Sequence, residues 1–95
     1  MAPNVVMYRT PFCPYCIRAK ALLNRKGVPF REIDVSGDAE KRRWLLSVTR
    51  QRTVPQIFIN GRSIGGCDEL YLLERQGKLD ELLAEEPPAE TRAES

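Results

Sequence analysis

The sequence predicts an α/β domain in which helices cover the faces of a small mixed β-sheet. Three short apolar runs alternate with two segments of helical periodicity within the first 60 residues, a pattern typical of strand–helix–strand units. The crossover between the first two runs is long enough to hold a helix, so these strands are expected to be parallel. Asn60-Gly61 follows the third run and strongly indicates a two-residue hairpin to an antiparallel fourth strand.

The first part of the chain predicts a strand, a helix and a second strand. Residues 4–8 form a short apolar run suited to a strand that is buried on both faces. Helical spacing then predicts an amphipathic helix, and Gly27 suits its left-handed end. Residues 30–35 predict the second strand. The apolar face predicted for the helix consists of Tyr15, Ile17, Ala19, Ala21, Leu22 and Leu23.

The middle of the chain predicts a second helix and the hairpin. Residues 36–38 combine turn and helix-capping chemistry. Residues 54–59 and 62–64 predict the third and fourth strands. The apolar stripe of the helix between them consists of Trp44, Leu45 and Val48.

The last predicted helix opens at Cys67 and Asp68 and ends near Gly77. A leucine-rich turn is expected to cover one end of the core after it. Trp44 and Tyr71 are interpreted as core residues. The leucines of the turn are Leu79, Leu82 and Leu83.

Length and composition indicate one small domain. The chain has 95 residues, of which 42% are apolar and 29% charged, as is ordinary for a soluble domain with a single core. Residues 1–83 are expected to form this domain, and residues 84–95 to be a disordered tail. No apolar run is long enough for a membrane span, and residues 1–6 lack the features of a signal peptide. We therefore expect a cytoplasmic protein without membrane contact.

The net charge of +2 is unevenly distributed. Residues 84–95 contain four glutamates and one arginine, a net charge of −3, so residues 1–83 carry +5. A modestly basic body attracts small anionic substrates. The basic cluster Lys41-Arg42-Arg43 has no accompanying row of aromatic residues, so it is interpreted as a solvated helix face rather than a nucleic-acid site.

Cys13 and Cys16 are separated by two residues at the head of a helical segment, which indicates a thiol redox site. Pro14 suits the first helical position, so Cys13 is predicted to be the N-cap, with the unpaired amides of the first turn directed at its sulfur. A thiolate is favoured there over a thiol. At such positions the pKa of a cysteine typically falls from about 8.5 into the range of roughly 3.5–7.5. Cys16 would lie on the same helical face, close enough to form a disulfide.

Ionisation at a helix start improves a cysteine more as a leaving group than as an attacking group. A thiol of pKa about 8.5 is roughly 3% ionised at pH 7, so full ionisation gives about 30-fold more thiolate. Intrinsic nucleophilicity falls with pKa at a slope of about 0.4–0.5, which removes a similar factor over roughly 3.5 pH units. A stabilised thiolate is, however, readily expelled from a mixed disulfide. The site therefore suits repeated thiol–disulfide exchange.

A metal site fits the cysteines less well. The chain has three cysteines and no histidine, so a zinc tetrad would need Cys67 together with a carboxylate or a second chain. Three cysteines without an export signal indicate a reducing cytosol rather than a disulfide scaffold. Cys67 is interpreted as a small buried apolar residue rather than a redox partner.

Three separated motifs resemble, in order and spacing, those of dithiol glutaredoxins of the thioredoxin-like superfamily. The resemblance spans residues 4–83 and implies a thioredoxin-like fold with a four-stranded mixed sheet. It also implies a glutathione-dependent oxidoreductase that reduces protein–glutathione mixed disulfides and protein disulfides, with glutathione as co-substrate and no metal required. The motifs are Cys13-Pro14-Tyr15-Cys16, Thr53-Val54-Pro55 and Gly65-Gly66-Cys67-Asp68.

The resemblance also implies the role of each catalytic and binding residue. Cys13 would be the nucleophile, and Cys16 the resolving thiol that protein disulfides need and glutathionyl mixed disulfides do not. Val54, beside a cis peptide bond to proline, would offer its backbone to glutathione as an added strand does. Asp68 would face the ammonium group of the γ-glutamyl end, whose carboxylate suits backbone amides at a helix start. Arg9 would serve the glycyl carboxylate or the Cys13 thiolate. The implied glutathione-binding residues are Arg9, Tyr15, Arg42, Thr53, Val54, Pro55, Gly66, Cys67 and Asp68, with Arg52 as an additional candidate.

Structural roles alone would account for some of these residues. Arg9 is also interpretable as a solvated arginine and Tyr15 as a packing residue. Pro55 would suit the start of a strand with a trans peptide bond, and Asp68 would suit a helix cap.

The implied partners are glutathione, glutathionylated or disulfide-bearing proteins and, indirectly, glutathione reductase; we expect a monomer with no nucleic-acid partner.

Three alternative functions remain open. A redoxin reduced directly by thioredoxin reductase would use the same chemistry, although the loop is not of the Trp-Cys-Gly-Pro-Cys type. An iron–sulfur carrier would share a cluster between two chains through Cys13 and two glutathiones, although such relatives tend to have Gly or Ser where Pro14 stands. A redox-inert binding module would be indifferent to Cys13→Ser.

Overall fold

The computed structural model describes residues 3–85, which form four strands and four helices. The predicted order of strands and helices is confirmed, and the leucine-rich turn is itself a short helix, α4. The strands are β1 (Val5–Arg9), β2 (Arg31–Asp34), β3 (Gln56–Ile59) and β4 (Arg62–Gly65). The helices are α1 (Pro14–Arg25), α2 (Ala39–Thr49), α3 (Cys67–Arg75) and α4 (Lys78–Ala84).

The ends of the chain bear on two of the predictions. Ala84, the first residue of the predicted disordered tail, is the last residue of α4. The rest of that tail from residue 86 onward lies outside the described residues. Across residues 3–85, no helix combines the length and the apolar character that crossing a membrane requires.

The four strands form one sheet in the order β2-β1-β3-β4. β1 and β2 are parallel, whereas β1–β3 and β3–β4 are antiparallel. Asn60 and Gly61 both have left-handed backbone conformations, with φ of 53° and 83°, as the tightest hairpin turn requires. The predicted parallel unit and the predicted hairpin are therefore confirmed. Consequently, one end of the sheet brings together the end of β1, the beginning of β3 and the end of β4.

One face of the sheet carries the core. Met7 of β1 and Ile57 of β3 are paired across the strands and have no exposed surface. Because α1, α3 and α4 pack on this face, their buried side chains join those of the strands in one cluster. The remaining members are Val5, Ala19, Leu22, Leu23, Ile59, Cys67, Leu70 and Leu79.

The buried face of α1 differs from the predicted one. Tyr15, Ile17 and Ala21, predicted as part of the apolar face, are exposed. Cys16 is buried instead and begins the stripe that continues through Ala19, Leu22 and Leu23. α1 begins at Pro14, and its packing against the sheet sets a phase that turns Cys16 toward the core and Tyr15 away from it. The predicted left-handed end is present, because Gly27 has φ of 71°.

The other face of the sheet carries an aromatic cluster under α2. The rings of Tyr8, Trp44 and Phe58 lie with centroids 5.5 to 5.9 Å apart. Trp44, predicted as a core residue, is 41% exposed, whereas its neighbour Leu45 is buried. Trp44 lies at the rim of α2, so one side of its indole packs on the sheet and the other meets solvent. The interpretation of Trp44 as a core residue was therefore wrong.

Candidate functional site

Cys13 lies at the start of α1, in the position predicted for it. Its backbone is extended, with φ of −100° and ψ of 109°, and Pro14 is the first helical residue. The amide of Cys16 donates a hydrogen bond to Cys13 Sγ at 3.2 Å, and the amide of Ile17 donates to the Cys13 carbonyl at 3.1 Å. The sulfur thus occupies the place of a capping oxygen, at the positive end of the helix dipole.

Phe12 precedes the cap in a conformation that non-glycine residues rarely adopt. Its φ is 61°, and 98% of its side chain is exposed. Unusual backbone conformations of this kind concentrate at functional sites. This conformation was not predictable from the sequence, because neither the position of Phe12 between a proline and a cysteine nor its apolar character signals a left-handed backbone.

Cys16 differs sharply from Cys13 although only two residues separate them. Cys16 is buried, and both cysteines are free thiols in this structure. Burial raises the pKa of Cys16 to about 12, and the hydrogen bond with Cys13 adds to the rise. Cys16 is therefore held as a thiol at neutral pH, whereas Cys13 is reachable from solvent.

The loop of residues 51–55, which leads into β3, lies next to Cys13. Its Val54–Pro55 peptide bond is cis, as predicted, which excludes the trans alternative. The Val54 carbonyl lies 3.7 Å from Cys13 Sγ, where it accepts a hydrogen bond from the thiol. β3 begins at Gln56 rather than at the predicted residue 54, because a proline has no N–H for the strand ladder.

The start of α3 lies across a groove from the loop of residues 51–55. Gly66 is the N-cap, and its amide donates to Glu69 Oε1 at 2.6 Å. Asp68 is exposed in the first turn, so the alternative in which Asp68 itself caps the helix is wrong. Cys67 is buried among core residues, and burial raises the pKa of its thiol, as expected of a packing residue.

A groove of about 500 Å³ runs between the loop and the start of α3 beside Cys13. Two of the residues that line it, Gln51 and Glu69, were not predicted. Glu69 was detectable, because a glutamate three residues after a helix cap is a recognised capping pattern; no comparable signal marks Gln51. The predicted residues that line the groove are Tyr15, Arg52, Thr53, Val54, Pro55, Gly66, Cys67 and Asp68.

The structure places Arg42 beside the groove rather than in it. Arg42 and Arg43 line a hollow of about 260 Å³ on α2 that shares residues 51–54 with the groove. Arg52 lines both. The groove therefore has basic groups toward the α2 side and the carboxylates of Asp68 and Glu69 on the α3 side.

Arg9 lies on the other flank of Cys13. Its Nε donates to Glu32 Oε1 at 2.9 Å, and Lys20 Nζ lies 3.2 Å from the second oxygen of the same carboxylate. Arg9 lines a separate hollow of about 200 Å³ that includes Phe12 and Cys13. The structure thus brings Arg9 near the cysteines but not into the groove, because β2 lies beside β1 and supplies its partner.

Residues 3–85 contain no cluster of three or more histidine, cysteine, aspartate or glutamate side chains arranged to hold a metal ion.

Known proteins resemble this chain both in sequence and in structure. The family model described as Glutaredoxin matches residues 5–64. The chain is 56% identical over 82 residues to glutaredoxin from Pseudomonas aeruginosa, covering 86% of this chain and 98% of that protein. It is 52% identical over 80 residues to glutaredoxin 3 from Escherichia coli K12, covering 84% and 96%.

Two solved structures extend the comparison. The solution structure of glutaredoxin from Brucella melitensis superposes with a TM-score of 0.76 at 54% identity, covering 84% of this chain and 87% of that one. The crystal structure of a buckwheat glutaredoxin–glutathione complex superposes with a TM-score of 0.79 at 36% identity, covering 85% and 76%.

Proposed function

The chain belongs to the glutaredoxin family of thiol oxidoreductases, within the thioredoxin-like superfamily, and on that premise we propose that it catalyses glutathione-dependent thiol–disulfide exchange. Its substrates are protein–glutathione mixed disulfides and protein disulfides, and Cys13 is the nucleophile. One observation carries the proposal: the sulfur of the partly buried Cys13 caps α1, 3.2 Å from the Cys16 amide, beside a groove of peptide size.

Glutathione fits the groove by charge. It carries an ammonium group and a carboxylate at the γ-glutamyl end and a second carboxylate at the glycyl end. Asp68 suits the ammonium group, and the amides of Cys67 and Asp68 at the start of α3 suit the adjacent carboxylate. The Gly66 amide is already used by Glu69. Arg52, with Arg42 beyond it, suits the glycyl carboxylate.

The backbone of Val54 binds the central residue of glutathione. Its N–H and C=O pair with the cysteinyl residue of glutathione in the way that an added strand pairs with a sheet edge. Since the Val54 carbonyl lies 3.7 Å from Cys13 Sγ, this pairing holds the glutathione sulfur near the nucleophile. Tyr15, exposed at the mouth of the groove, contacts the bound tripeptide.

The reaction consists of two exchanges. The Cys13 thiolate attacks the glutathione sulfur of a mixed disulfide; a new sulfur–sulfur bond forms, the old one breaks, and the protein leaves as a thiolate. The thiolate of a second glutathione then attacks the sulfur of the bound one and expels the Cys13 thiolate. The product is glutathione disulfide, which glutathione reductase returns to glutathione. The amide of Cys16 and the start of α1 stabilise Cys13 in its role as leaving group.

Cys16 resolves the intermediate formed with a protein disulfide. Its thiol is protonated in the free enzyme, where burial and the neighbouring Cys13 sulfur both raise its pKa. Once Cys13 is bound in a mixed disulfide, its contribution to that rise is lost, and the Cys16 proton is released more readily. Cys16 then attacks Cys13 Sγ, closes the internal disulfide and expels the reduced substrate.

We also propose that the protein works in the cytosol, where free glutathione keeps Cys13 reduced.

A coupled turnover assay tests this function. The wild type is given a glutathionylated peptide with glutathione, glutathione reductase and NADPH, and in parallel with thioredoxin reductase and NADPH. We expect turnover in the first system only, with Cys16→Ser active and Cys13→Ser inactive on this substrate. Turnover supported by thioredoxin reductase alone would instead identify a redoxin that bypasses glutathione.

A further inference from the structure

Gln56 is a buried residue outside the groove, and we infer that it is a positioning residue for glutathione binding. Its side chain is 1% exposed at the start of β3, directly after the loop of residues 51–55. This inference rests on the proposed function, because it concerns how the loop that carries Val54 is held against Cys13.

The carboxamide of Gln56 folds back onto the loop. Its Nε2 donates to the Thr53 carbonyl at 2.9 Å and to Gln51 Oε1 at 3.0 Å, and Thr53 Oγ1 lies 3.4 Å away. The bond to Thr53 closes a four-residue turn whose middle residues are Val54 and Pro55. Gln56 therefore ties both ends of this turn together.

The orientation of the carboxamide follows from its partners. The Thr53 carbonyl can only accept a hydrogen bond, so the NH₂ group of Gln56 must face the loop. Gln56 Oε1 then points away from the loop, and it has no hydrogen-bond partner among residues 3–85. The NH₂ group is thus bonded to the loop, whereas Oε1 is buried with no partner in the part of the chain that the structure describes.

This arrangement is poor for stability and good for holding a loop. A buried acceptor without a donor costs free energy, and an apolar side chain of similar shape would avoid that cost. The benefit of Gln56 must therefore lie in the two hydrogen bonds made by its NH₂ group. Those bonds end at the loop whose Val54 carbonyl lies 3.7 Å from Cys13 Sγ, and displacements of about 1 Å at a reacting centre are costly.

Gln56→Met removes the two donors and keeps the volume and length of the side chain. The matched control is Ile57→Val, a conservative truncation at the next residue of β3, on the opposite face of the sheet. We expect Gln56→Met to raise the KM for a glutathionylated peptide about ten-fold, with kcat and the rate of Cys13 alkylation within two-fold of the wild type. The melting temperature should not fall, whereas Ile57→Val should lower it without changing the KM.

A KM for Gln56→Met within two-fold of the wild type would overturn the inference, as would an equal rise in Ile57→Val. Proton exchange in the wild type gives a test that does not depend on the variant folding. The Gln56 side-chain amide protons should exchange far more slowly than those of the exposed Gln76; equal rates would contradict the hydrogen bonds from Gln56 to the loop. If the wild type itself shows no glutathione-dependent turnover, the proposed function fails instead.

Discussion

The starts of α1 and α2 have the same hydrogen-bond geometry but different chemistry. At α2, Asp38 Oδ1 accepts from the Lys41 amide at 2.9 Å; at α1, Cys13 Sγ accepts from the Cys16 amide at 3.2 Å. In both cases the side chain of the N-cap residue accepts from the amide three residues later. Aspartate is among the preferred cap residues, and cysteine is not. The cap of α2 therefore serves folding, whereas the cap of α1 gives up some stability to keep a sulfur at the positive end of a helix.

Cys13→Ser tests this comparison with the largest expected effect. Serine is a preferred cap, and its hydroxyl can accept from the Cys16 amide while donating to the Val54 carbonyl. We expect turnover to fall to background while the melting temperature stays equal or rises by a few degrees. Coupled turnover and thermal unfolding of the same preparation measure both. Retained turnover would remove Cys13 as the nucleophile, and a lowered melting temperature would contradict the difference between the two caps.

Asp68→Asn tests whether a carboxylate at a helix start serves binding rather than folding. Asp68 is exposed and does not cap α3, because Glu69 accepts from the Gly66 amide. Loss of a charge-assisted contact to the ammonium group should raise the KM for glutathionylated peptide about ten-fold. The melting temperature and the rate of Cys13 alkylation should stay unchanged. An unaltered KM would exclude Asp68 from the binding site.

Asp38→Ala is the reciprocal experiment, with the smallest expected effect. The variant loses the hydrogen bond to the Lys41 amide, so the free energy of unfolding should fall by about 1 kcal/mol, or roughly 4–8 °C in melting temperature. Asp38→Ser, which keeps a capping oxygen, is the control and should lose much less. Neither change should alter the KM or the alkylation rate of Cys13. A changed KM would mean that α2 contributes to the site through its cap.

Short-range signals account for the parts of the fold and of the candidate site that the sequence predicted. Asn60-Gly61 predicted its hairpin, and Cys13-Pro14 predicted the start of α1, because each depends on the backbone preferences of a few adjacent residues. The predicted residues of the groove follow from motifs whose spacing matches a known family. Their roles in binding stay predictions until the variants are measured.

Features that depend on tertiary packing were not predictable in the same way. The phase of α1, which exposes Tyr15 and buries Cys16, is set by the sheet against which the helix packs. Arg9 pairs with Glu32 because β1 and β2 become neighbours, and no local pattern reveals that partner. The role of the buried Gln56 carboxamide could not be predicted either, because its hydrogen bonds depend on how the loop of residues 51–55 packs against it.

We expect Cys13, and not either of the buried cysteines, to form the mixed disulfide with glutathione. The most direct test is to incubate Cys16→Ser with a glutathionylated peptide, quench with acid and locate the glutathione by peptide mapping and mass spectrometry. We predict one glutathione per chain, bound at Cys13, with Cys67 unmodified. Glutathione found at Cys67, or an unmodified Cys13 in an enzyme that turns over, would contradict the claim.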